Sequence, residues 1–326
     1  SRNWHKMFWR AHPIVSTGTA RNGPTIQASK GAQPVNRVRH RVSVIGVPVD
    51  ILDWETAIGS IAAWGRAGES RYVCFSNVHS VVTAAFDSSF HQVIAGSDMC
   101  TSDGAPVTWM LRQLGAPQQE RLNGPDLMWR YFAAEAPKGG KVYFYGSTPE
   151  TLKLLRERVE SEFPGLQVAG TYAPPFRPMT AAEDDDDVDR INASGAHAVF
   201  VGLGCPKQEV WMAAHRGRIH AVMMGVGAAF EFHAGVQPRA PAWVRNNGLE
   251  WAHRLLHNPQ RLWRRYLFTN MPFLFMAGAQ WIASRITGAR PGKVPPQAAF
   301  THADKPYDAA TQRGEDAHKG SHDEAR

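Results

Sequence analysis

Short apolar runs alternate with helix-length amphipathic segments along the middle of the chain, and this alternation limits the fold more than any other feature. The apolar runs lie at 141–145, 167–170, 198–201 and 220–224, and helices are predicted at 148–163, from about 180, and at 206–215. Buried strands that alternate with amphipathic helices are typical of a mostly parallel sheet covered by helices. The pattern therefore predicts an α/β fold.

The chain before residue 141 continues the pattern. Residues 42–52 predict opening strands, and 72–75 predict a further strand. Asp53 is placed to cap a helix that runs to about residue 67, and Asn123 begins a segment that starts another helix, to about 136. Further helices are predicted at 79–86, 90–95 and 105–114, the last of them after a turn at 101–104.

Composition divides the chain into four parts. Residues 1–40 contain seven Lys or Arg and no Asp or Glu, and between Arg239 and Lys293 the one acidic residue is Glu250. We therefore predict a basic, disordered tail at 1–40, an α/β core at 41–238, an Arg/Trp-rich helical, membrane-associating appendage at 239–288, and a disordered tail at 289–326. Basic blocks suit anionic lipid, a phosphorylated ligand or nucleic acid, and composition does not choose among them.

Several classes of protein do not fit the sequence. The three cysteines are too few and too scattered for a disulfide framework or a zinc site. The best candidate for a membrane span, 267–286, is interrupted by Asn270, Pro272 and Gln280. The N-terminal region lacks the compact hydrophobic segment of a secretory signal. These features predict a cytoplasmic protein that contacts a membrane.

Four turns fall where predicted strands end and helices begin. They lie at 76–77, 146–148, 202–208 and 225–230, and they contain Asn77, Gly146, Gly202, Gly204, Gly225 and Gly227. In open α/β sheets, ligands bind at the carboxyl ends of strands, where helix N-termini offer unpaired N–H groups. Lys207 and Gln208 lie in the first turn of their helix, where they can reach a diphosphate or a uracil edge. Each glycine alone could simply allow a tight turn, but convergence of all four turns on one rim favours a ligand site.

A dinucleotide-binding fingerprint fits these glycines less well. Lys207 and Phe230 stand where the third glycine of such a fingerprint should lie, and no strand with a ribose-binding acid follows. A phosphate-binding P-loop motif is also absent from the sequence. The turns therefore argue against hydride transfer.

Asp103 lies in a small, polar turn before a predicted helix. The first N–H groups of that helix can hold a carboxylate there, which keeps it ionised near neutral pH and suits it to act as a general base. An ordinary helix cap explains the same position, and the residue pattern alone favours the cap. Asp126 begins its helix in the same way and is interpreted as a cap.

No metal site is predicted. The acidic run 183–187 contains Asp-x-Asp, a pair that metal-dependent sugar-nucleotide transferases use to hold a divalent ion. Because the run begins a helix on a polar stretch, we interpret it as a solvated face. His233, His253 and His257 lack the spacing of metal ligands, and surface positions are predicted for them.

Arginine and tryptophan are interleaved near the C-terminus. The residues are Arg239, Arg245, Arg254, Arg261, Arg264 and Arg265 with Trp243, Trp251 and Trp263. Tryptophan prefers the membrane interface and arginine binds phosphate bidentately, so the segment suits contact with lipid headgroups and a diphosphate. A helical hairpin that packs its tryptophans on the core is the alternative. No recognised nucleic-acid motif accompanies the basic residues, and no nucleic-acid partner is predicted.

The motifs, taken in order, resemble the WecG/TagA/CpsF family, which is glycosyltransferase family 26. They are Ser102-Asp103-Gly104, 123–128, 202–209, 225–230, 239–241 and 248–255, and the resemblance covers about 43–268. It implies a Rossmann-like domain and an inverting glycosyltransferase that needs no metal or other cofactor. It also implies a UDP-sugar donor and a polyprenyl-diphosphate-linked saccharide acceptor at the cytoplasmic membrane face, in exopolysaccharide, capsule or teichoic-acid-type synthesis.

The resemblance also implies roles for single residues. Asp103 matches the proposed catalytic base, which reverses the preference for a helix cap. Asn77 matches the Asn of a Thr-x-Asn turn near the donor, with Phe75 at the Thr position. Lys207 and Gln208 match a donor-site motif. In the family, arginines of the C-terminal appendage are expected to reach the diphosphate. The resemblance implies this role for Arg254, Arg261, Arg264 and Arg265.

A second function stays open on the sequence. A non-catalytic protein of the same fold would bind a nucleotide sugar at the membrane surface and transfer nothing. Acceptor-dependent release of UDP separates the two functions, because only a transferase produces it.

Overall fold

The computed structural model describes residues 39–241, 243–244, 250–257 and 259–287, without the side chains of 254, 257, 259, 261, 262, 264 and 265. The strands are β1 Arg41–Val44, β2 Val47–Asp50, β3 Arg71–Ser76, β4 Met99–Ser102, β5 Lys141–Gly146, β6 Gln167–Tyr172, β7 Ala198–Gly202 and β8 Val222–Gly225. The helices are α1 Trp54–Arg66, α2 Val78–Phe86, α3 Ser88–Ala95, α4 Ala105–Gln113, α5 Gly124–Glu135, α6 Pro149–Glu162, α7 Ala181–Ala193, α8 Lys207–Ala214, α9 Ala229–His233, α10 Glu250–His257 and α11 Pro259–Thr287.

The strands β3 to β8 form one sheet in the order β4-β3-β8-β7-β5-β6, and every neighbouring pair in it is parallel. This confirms the predicted mostly parallel sheet. β1 and β2 form a separate antiparallel pair. Because the strands of the large sheet all run the same way, their carboxyl ends lie along one edge, and the turns that follow them meet there.

Helices cover the two faces of this sheet, which explains why its strands are continuous apolar runs. Tyr143 and Val199 belong to the core on one face. Phe144 and Phe200 belong to the core on the other, with ring centroids 6.1 Å apart. Full burial of a large apolar side chain contributes roughly 1.5–3 kcal/mol, so packing on two faces holds the strand ends firmly in place.

Side-chain caps set the predicted helix starts. The Asp53 side chain accepts from the backbone N of Thr56 at 2.7 Å, and this confirms it as the cap of α1. Thr148 caps α6 in the same way, accepting from the N of Thr151 at 3.2 Å. A cap of this kind contributes typically ~1 kcal/mol.

The predicted turn at 101–104 is partly wrong, because residues 101 and 102 are the end of strand β4. β4 pairs in parallel with β3 and forms an edge of the sheet. Its four residues, Met-Cys-Thr-Ser, are too few and too polar to show strand periodicity. The pairing partner, not local sequence, makes this segment a strand.

The predicted helical C-terminal region is confirmed by α10 and α11. On one face of α11, Phe273 and Ala277 are buried in the core. Gln280 joins this helix to the β1–β2 turn, because its Nε2 donates to Ser43 O at 2.7 Å and its Oε1 accepts from Ile45 N at 2.9 Å.

The opposite face of α11 is apolar and exposed. From residue 267 onward, its large exposed side chains are Leu267, Phe268, Met271, Leu274, Phe275, Ile282 and Ile286. Spacings of three and four residues place most of them on one stripe of the helix. We call these seven residues the apolar stripe. Among the described residues, no helix is both long enough and apolar enough to cross a membrane.

Candidate active site

Five adjacent strands bring the predicted site residues to one edge of the sheet. Asp103 follows β4, Asn77 follows β3, and the remaining predicted turns follow β8, β7 and β5. These five strands are neighbours in the sheet in that order. Their helix N-termini therefore open on the same side, as ligand sites of this fold class require.

Asp103 and Asn77 lie side by side. The Asp103 N–H donates to Ser76 O at 2.9 Å, and a Cβ added at Gly104 would stand 3.5 Å from the Asn77 Cβ. The Asn77 Oδ1 caps α2 and accepts from the Ser80 N–H at 3.2 Å. The Nδ2 of Asn77 is then the part of this side chain suited to donate to a ligand.

Neither Asp103 nor Asp126 occupies the N-cap position that the residue pattern alone favoured for them. Gly104 is the N-cap residue of α4, and Asn123 is the N-cap residue of α5. Asp126 lies within the first turn of α5, where its N–H donates to Asn123 Oδ1 at 2.9 Å and its Oδ2 accepts from Asn123 Nδ2 at 2.7 Å. Each predicted cap lay one to three residues from the true cap, since several small or polar residues precede each helix.

No hydroxyl occupies the Thr-like position of the β3 turn. Phe75 stands there and is packed in the core, 5% exposed. Ser76 does not replace it, because its Oγ is buried and lies 3.0 Å from the Cys100 Sγ. Asn77 is therefore the polar side chain that this turn presents.

The turns after β5, β7 and β8 are packed backbone against backbone. Gly146 has φ +116°, and an added Cβ would come within 2.6 Å of Gly202 O. An added Cβ on Gly202 would come within 2.7 Å of the Phe230 ring. The Ser147 N–H donates to Gly202 O at 3.1 Å, and the Gly227 N–H donates to Val201 O at 3.3 Å. Gly146 and Gly202 therefore leave no room for side chains, whereas an added Cβ at Gly204 would meet nothing within 4 Å.

We call the turns after β5, β7 and β8 the glycine turns, and Gln208 links the last two of them. Its Oε1 accepts from Gly204 N at 3.2 Å, and its Nε2 donates to Gly225 O at 2.7 Å and to Glu209 Oε1 at 2.9 Å. Gln208 and Glu209 are both buried, and burial raises the pKa of Glu209. The amide of Gln208 is thus engaged within the protein and sets the positions of the turns. Lys207, in contrast, is exposed at the start of α8.

Glu231 is a site residue that the sequence reasoning missed. It lies in α9, and its Oε1 accepts from the Ser147 Oγ at 2.9 Å across the β5 turn. Its Oε2 is buried without a hydrogen-bond partner among the described residues. An acid four residues after a Gly-x-Gly turn is the sequence signal that could have indicated it.

A cavity of ≈ 570 Å³ lies beside Asp103, between α1, α4 and α5. We call it the arginine cavity. Its lining residues are Trp54, Ala105, Thr108, Arg112, Arg121, Asn123, Asp126, Trp129, Arg130 and Arg239. Four of these side chains are cationic and one is anionic, so the cavity favours an anion. None of the four arginines was a predicted site residue, although Arg239 belongs to the Arg/Trp-rich segment, because the others are scattered along helices and loops.

Arg121 connects this cavity to the predicted base and to the appendage. Its Nε donates to the backbone O of Asp103 at 2.6 Å, and its Nη2 lies 2.8 Å from Glu250 Oε2 of α10. The charges of Asp103 and Glu250 raise the pKa of Arg121, against the effect of its burial. Arg239 forms a similar link on the other wall, with its Nη2 2.7 Å from Asp126 Oδ1.

The comparison with known families agrees with this geometry. The model of the glycosyl transferase WecG/TagA/CpsF family matches residues 42–287, from β1 to the end of α11. The chain belongs to this family. It is therefore a glycosyltransferase, and its family resemblance extends beyond residue 268 through the whole of α11.

One curated relative is the N-acetylglucosaminyldiphosphoundecaprenol N-acetyl-beta-D-mannosaminyltransferase of Bacillus spizizenii. It is 35% identical over 180 residues, which are 55% of this chain and 67% of the relative. By its name, that enzyme transfers an N-acetylmannosaminyl group to a sugar on undecaprenyl diphosphate.

The structure describes the backbone, but not the side chains, of the four predicted appendage arginines. Arg254 lies on α10, and Arg261, Arg264 and Arg265 lie on α11, but their side chains fall outside the described residues. Their predicted role at a diphosphate stays a prediction. The backbone places them on the two helices that Glu250 and Gln280 join to the core.

Two of the predicted surface positions in this glycosyltransferase are wrong. His233 is buried, stacked on Trp129 at 3.7 Å, and its Nε2 lies 2.9 Å from Pro125 O. Asp187, in the acidic run, is buried and accepts from the Tyr145 hydroxyl at 2.8 Å. Each residue lies on the inner face of its helix, which the local sequence did not distinguish. Within the described residues, no three His, Cys, Asp or Glu side chains form a cluster suited to a metal ion.

Proposed function

We propose that this glycosyltransferase moves a sugar from a UDP-sugar to a saccharide linked to polyprenyl diphosphate, with inversion at the anomeric carbon. The observation that carries the proposal is the position of Asp103. Its backbone is fixed by Ser76 on the side of the glycine turns and by Arg121 on the side of the arginine cavity. A base at that junction lies between two sites of different chemistry, as transfer between two substrates requires.

The donor is assigned to the glycine turns. Backbone N–H groups at helix N-termini favour the negative charge of a diphosphate, and these turns contain Gly146, Gly202, Gly204, Gly225 and Gly227. Asn77, in the turn after β3, adds a side-chain donor beside them. Lys207 is exposed at the start of α8 and adds a cation there. Gln208 contributes by holding the Gly204 and Gly225 turns together.

The chemical step follows from these positions. Asp103 takes the proton from the acceptor hydroxyl, whose oxygen forms a bond to the anomeric carbon as the bond from that carbon to the UDP oxygen breaks. The electron pair leaves with UDP, whose added charge is stabilised by the backbone N–H groups and by cationic side chains. In this proposal the protein supplies that charge and no metal or other cofactor takes part.

Contact with the membrane is assigned to the C-terminal appendage, 239–288. The apolar stripe of α11 faces away from the core, and the four appendage arginines precede it along the chain. Tryptophan and arginine beside an exposed apolar helix face suit a helix lying in the interface of an anionic membrane. The enzyme would then lie at the inner face of a bacterial plasma membrane, in exopolysaccharide, capsule or teichoic-acid-type synthesis.

The test is a panel of UDP-sugars assayed with the full-length protein and a polyprenyl-diphosphate disaccharide or monosaccharide in anionic vesicles. We expect one UDP-sugar to give acceptor-dependent release of UDP, and the same rate after treatment with EDTA. Parallel reactions with GDP- and dTDP-sugars, and with vesicles that lack the acceptor, are the controls. Release that requires a divalent ion, or release from another nucleotide sugar alone, would contradict the corresponding part of the proposal.

A further inference from the structure

The arginine cavity contains more positive charge than the described residues neutralise. Arg121 is paired with Glu250 and Arg239 is paired with Asp126. Among the described residues, Arg112 and Arg130 form no ion pair, although the Arg112 Nε donates to Gln119 O at 2.9 Å. Two unneutralised guanidinium groups at one cavity favour a ligand with at least two negative charges, which a diphosphate has.

Two tryptophans form walls of the same cavity. The Arg130 guanidinium lies 4.5 Å from the Trp54 ring centroid. Trp129 is held in place from behind by the stacked His233 ring at 3.7 Å. Indole rings offer a large, flat apolar surface, and a stacked guanidinium keeps its N–H edges available to an anion. Cations beside flat aromatic walls suit a phosphorylated sugar better than a bare phosphate.

The cavity is lined by different residues from the glycine turns, and it adjoins them where Gly124, next to the lining residue Asn123, lies against Val226. Its walls are built mainly from α1, α4 and α5, whereas the glycine turns follow β5, β7 and β8. Asp103 is linked to both, because Arg121 of the cavity donates to the Asp103 carbonyl and Asn77 of the neighbouring turn lies beside it. A volume of ≈ 570 Å³ is within the range of small-ligand sites.

We propose that the arginine cavity is a second anion site, which holds the diphosphate and the adjoining sugar of the acceptor, apart from the diphosphate of the donor. The proposal rests on the proposed function for its choice of acceptor. In it, Arg112 and Arg130 bind the phosphates, and Trp54 and Trp129 contact the sugar. The Nε of Arg239 is buried without a hydrogen-bond partner among the described residues. It supplies a further donor at the wall of the arginine cavity.

Binding measurements on the full-length protein test this assignment. The probe is N-acetylglucosaminyl diphosphate with a short isoprenoid tail, titrated against wild type, Arg112→Gln, Arg130→Gln and the double variant. UDP is titrated against the same proteins, since its diphosphate is the other source of the same chemistry. Arg156→Gln is the matched control, because Arg156 is an exposed arginine paired with Glu160 on α6, away from the cavity.

We expect each single variant to weaken binding of the lipid diphosphate about tenfold or more, as loss of a charged hydrogen bond does. UDP affinity should not change, and in a transfer assay the acceptor KM should rise more than kcat falls. Unchanged lipid-diphosphate binding in the double variant, or a loss of UDP affinity in its place, would overturn the proposal.

The same experiment separates this proposal from the proposed function. If no UDP-sugar supports transfer but lipid-diphosphate binding still depends on Arg112 and Arg130, the cavity assignment holds and the donor assignment fails. If transfer occurs and the double variant has a normal acceptor KM, the function holds and the cavity assignment fails. Circular dichroism of each variant excludes loss of folding as the cause.

Discussion

The glycine turns and the arginine cavity are lined by different residues and are built in different ways. At the turns, Gly146 packs against the Gly202 backbone, and the side-chain amide of Gln208 is hydrogen-bonded to Gly204 and Gly225. At the cavity, long cationic side chains extend from helices, and two of them have no ion-pair partner in the described part of the chain. At Gly146 and Gly202 the first region is closed to added atoms, whereas the second is an open cavity.

This difference separates two kinds of sensitivity. A change at the turns should reduce stability together with binding, because the same backbone contacts serve both. A change at the cavity should reduce affinity for an anion and leave the fold intact, because exposed arginines contribute little to stability. Four predictions test this contrast. The largest expected effect is on kcat and comes from Asp103, because that residue is the proposed base.

Asp103→Asn removes the proposed base and keeps the size of the side chain. We expect kcat to fall by roughly 10²–10⁴-fold, the usual contribution of general base catalysis. UDP should bind as it does to wild type, since the glycine turns are untouched. Single-turnover kinetics with UDP titration measure the two effects. Near-normal turnover would show that another group takes the proton.

Gly146→Ala places a methyl group within 2.6 Å of the Gly202 carbonyl oxygen, at a φ of +116°. Strain and overpacking together should lower the free energy of unfolding by about 2–5 kcal/mol. Gly217→Ala is the matched control: its φ is +85°, and an added Cβ meets nothing within 4 Å. The control should cost about 1–2 kcal/mol from its left-handed backbone alone. Equal losses in urea denaturation would mean that the Gly146–Gly202 contact can relax.

A variant at His233 tests whether the ring stacked on Trp129 is buried and uncharged. Burial lowers the pKa of His233 from 6.5 to about 4. The unfolded chain therefore takes up the proton first, and stability should fall by about 3 kcal/mol as pH drops from 6.5 towards 4. His233→Phe keeps an aromatic ring on Trp129 and removes the titration. Denaturation between pH 4 and 8 should show a smaller loss for this variant, and identical pH profiles would rule out a buried neutral ring.

Arg130→Gln should have the smallest effect on stability. The variant loses the guanidinium over the Trp54 ring, a contact worth ~0.5–1 kcal/mol at an exposed site. Arg156→Gln, which breaks an exposed pair with Glu160, should cost about as little. A loss of several kcal/mol for Arg130→Gln would mean that the arginine cavity is as tightly packed as the glycine turns and that the contrast does not hold.

The sheet could be predicted from the sequence because burial on two faces produces long apolar runs. Strands β5 and β7 are such runs, and Asp53 and Thr148 follow standard capping chemistry. β4 could not be predicted, since four residues with a polar end carry no periodic signal. Its pairing with β3 is a long-range effect that is absent from the local sequence.

The glycine turns could be predicted from the sequence, whereas the arginine cavity could not. The glycine turns are contiguous motifs, so their residues could be chosen from spacing. The arginine cavity draws Arg112, Arg121 and Arg130 from separate segments, which only the tertiary fold brings to one cavity. Burial of His233 was missed for the same reason, because a single polar residue on a short helix does not reveal which face is covered.

The contact between Gly146 and Gly202 also limits how the chain can evolve. A side chain at 202 would collide with the ring of Phe230, so a smaller residue at 230 could open space for alanine there. A side chain at 146 would collide with the Gly202 main chain, and no substitution makes a main chain smaller. Among descendants of this sequence, position 202 should therefore vary only together with position 230, and position 146 should stay glycine.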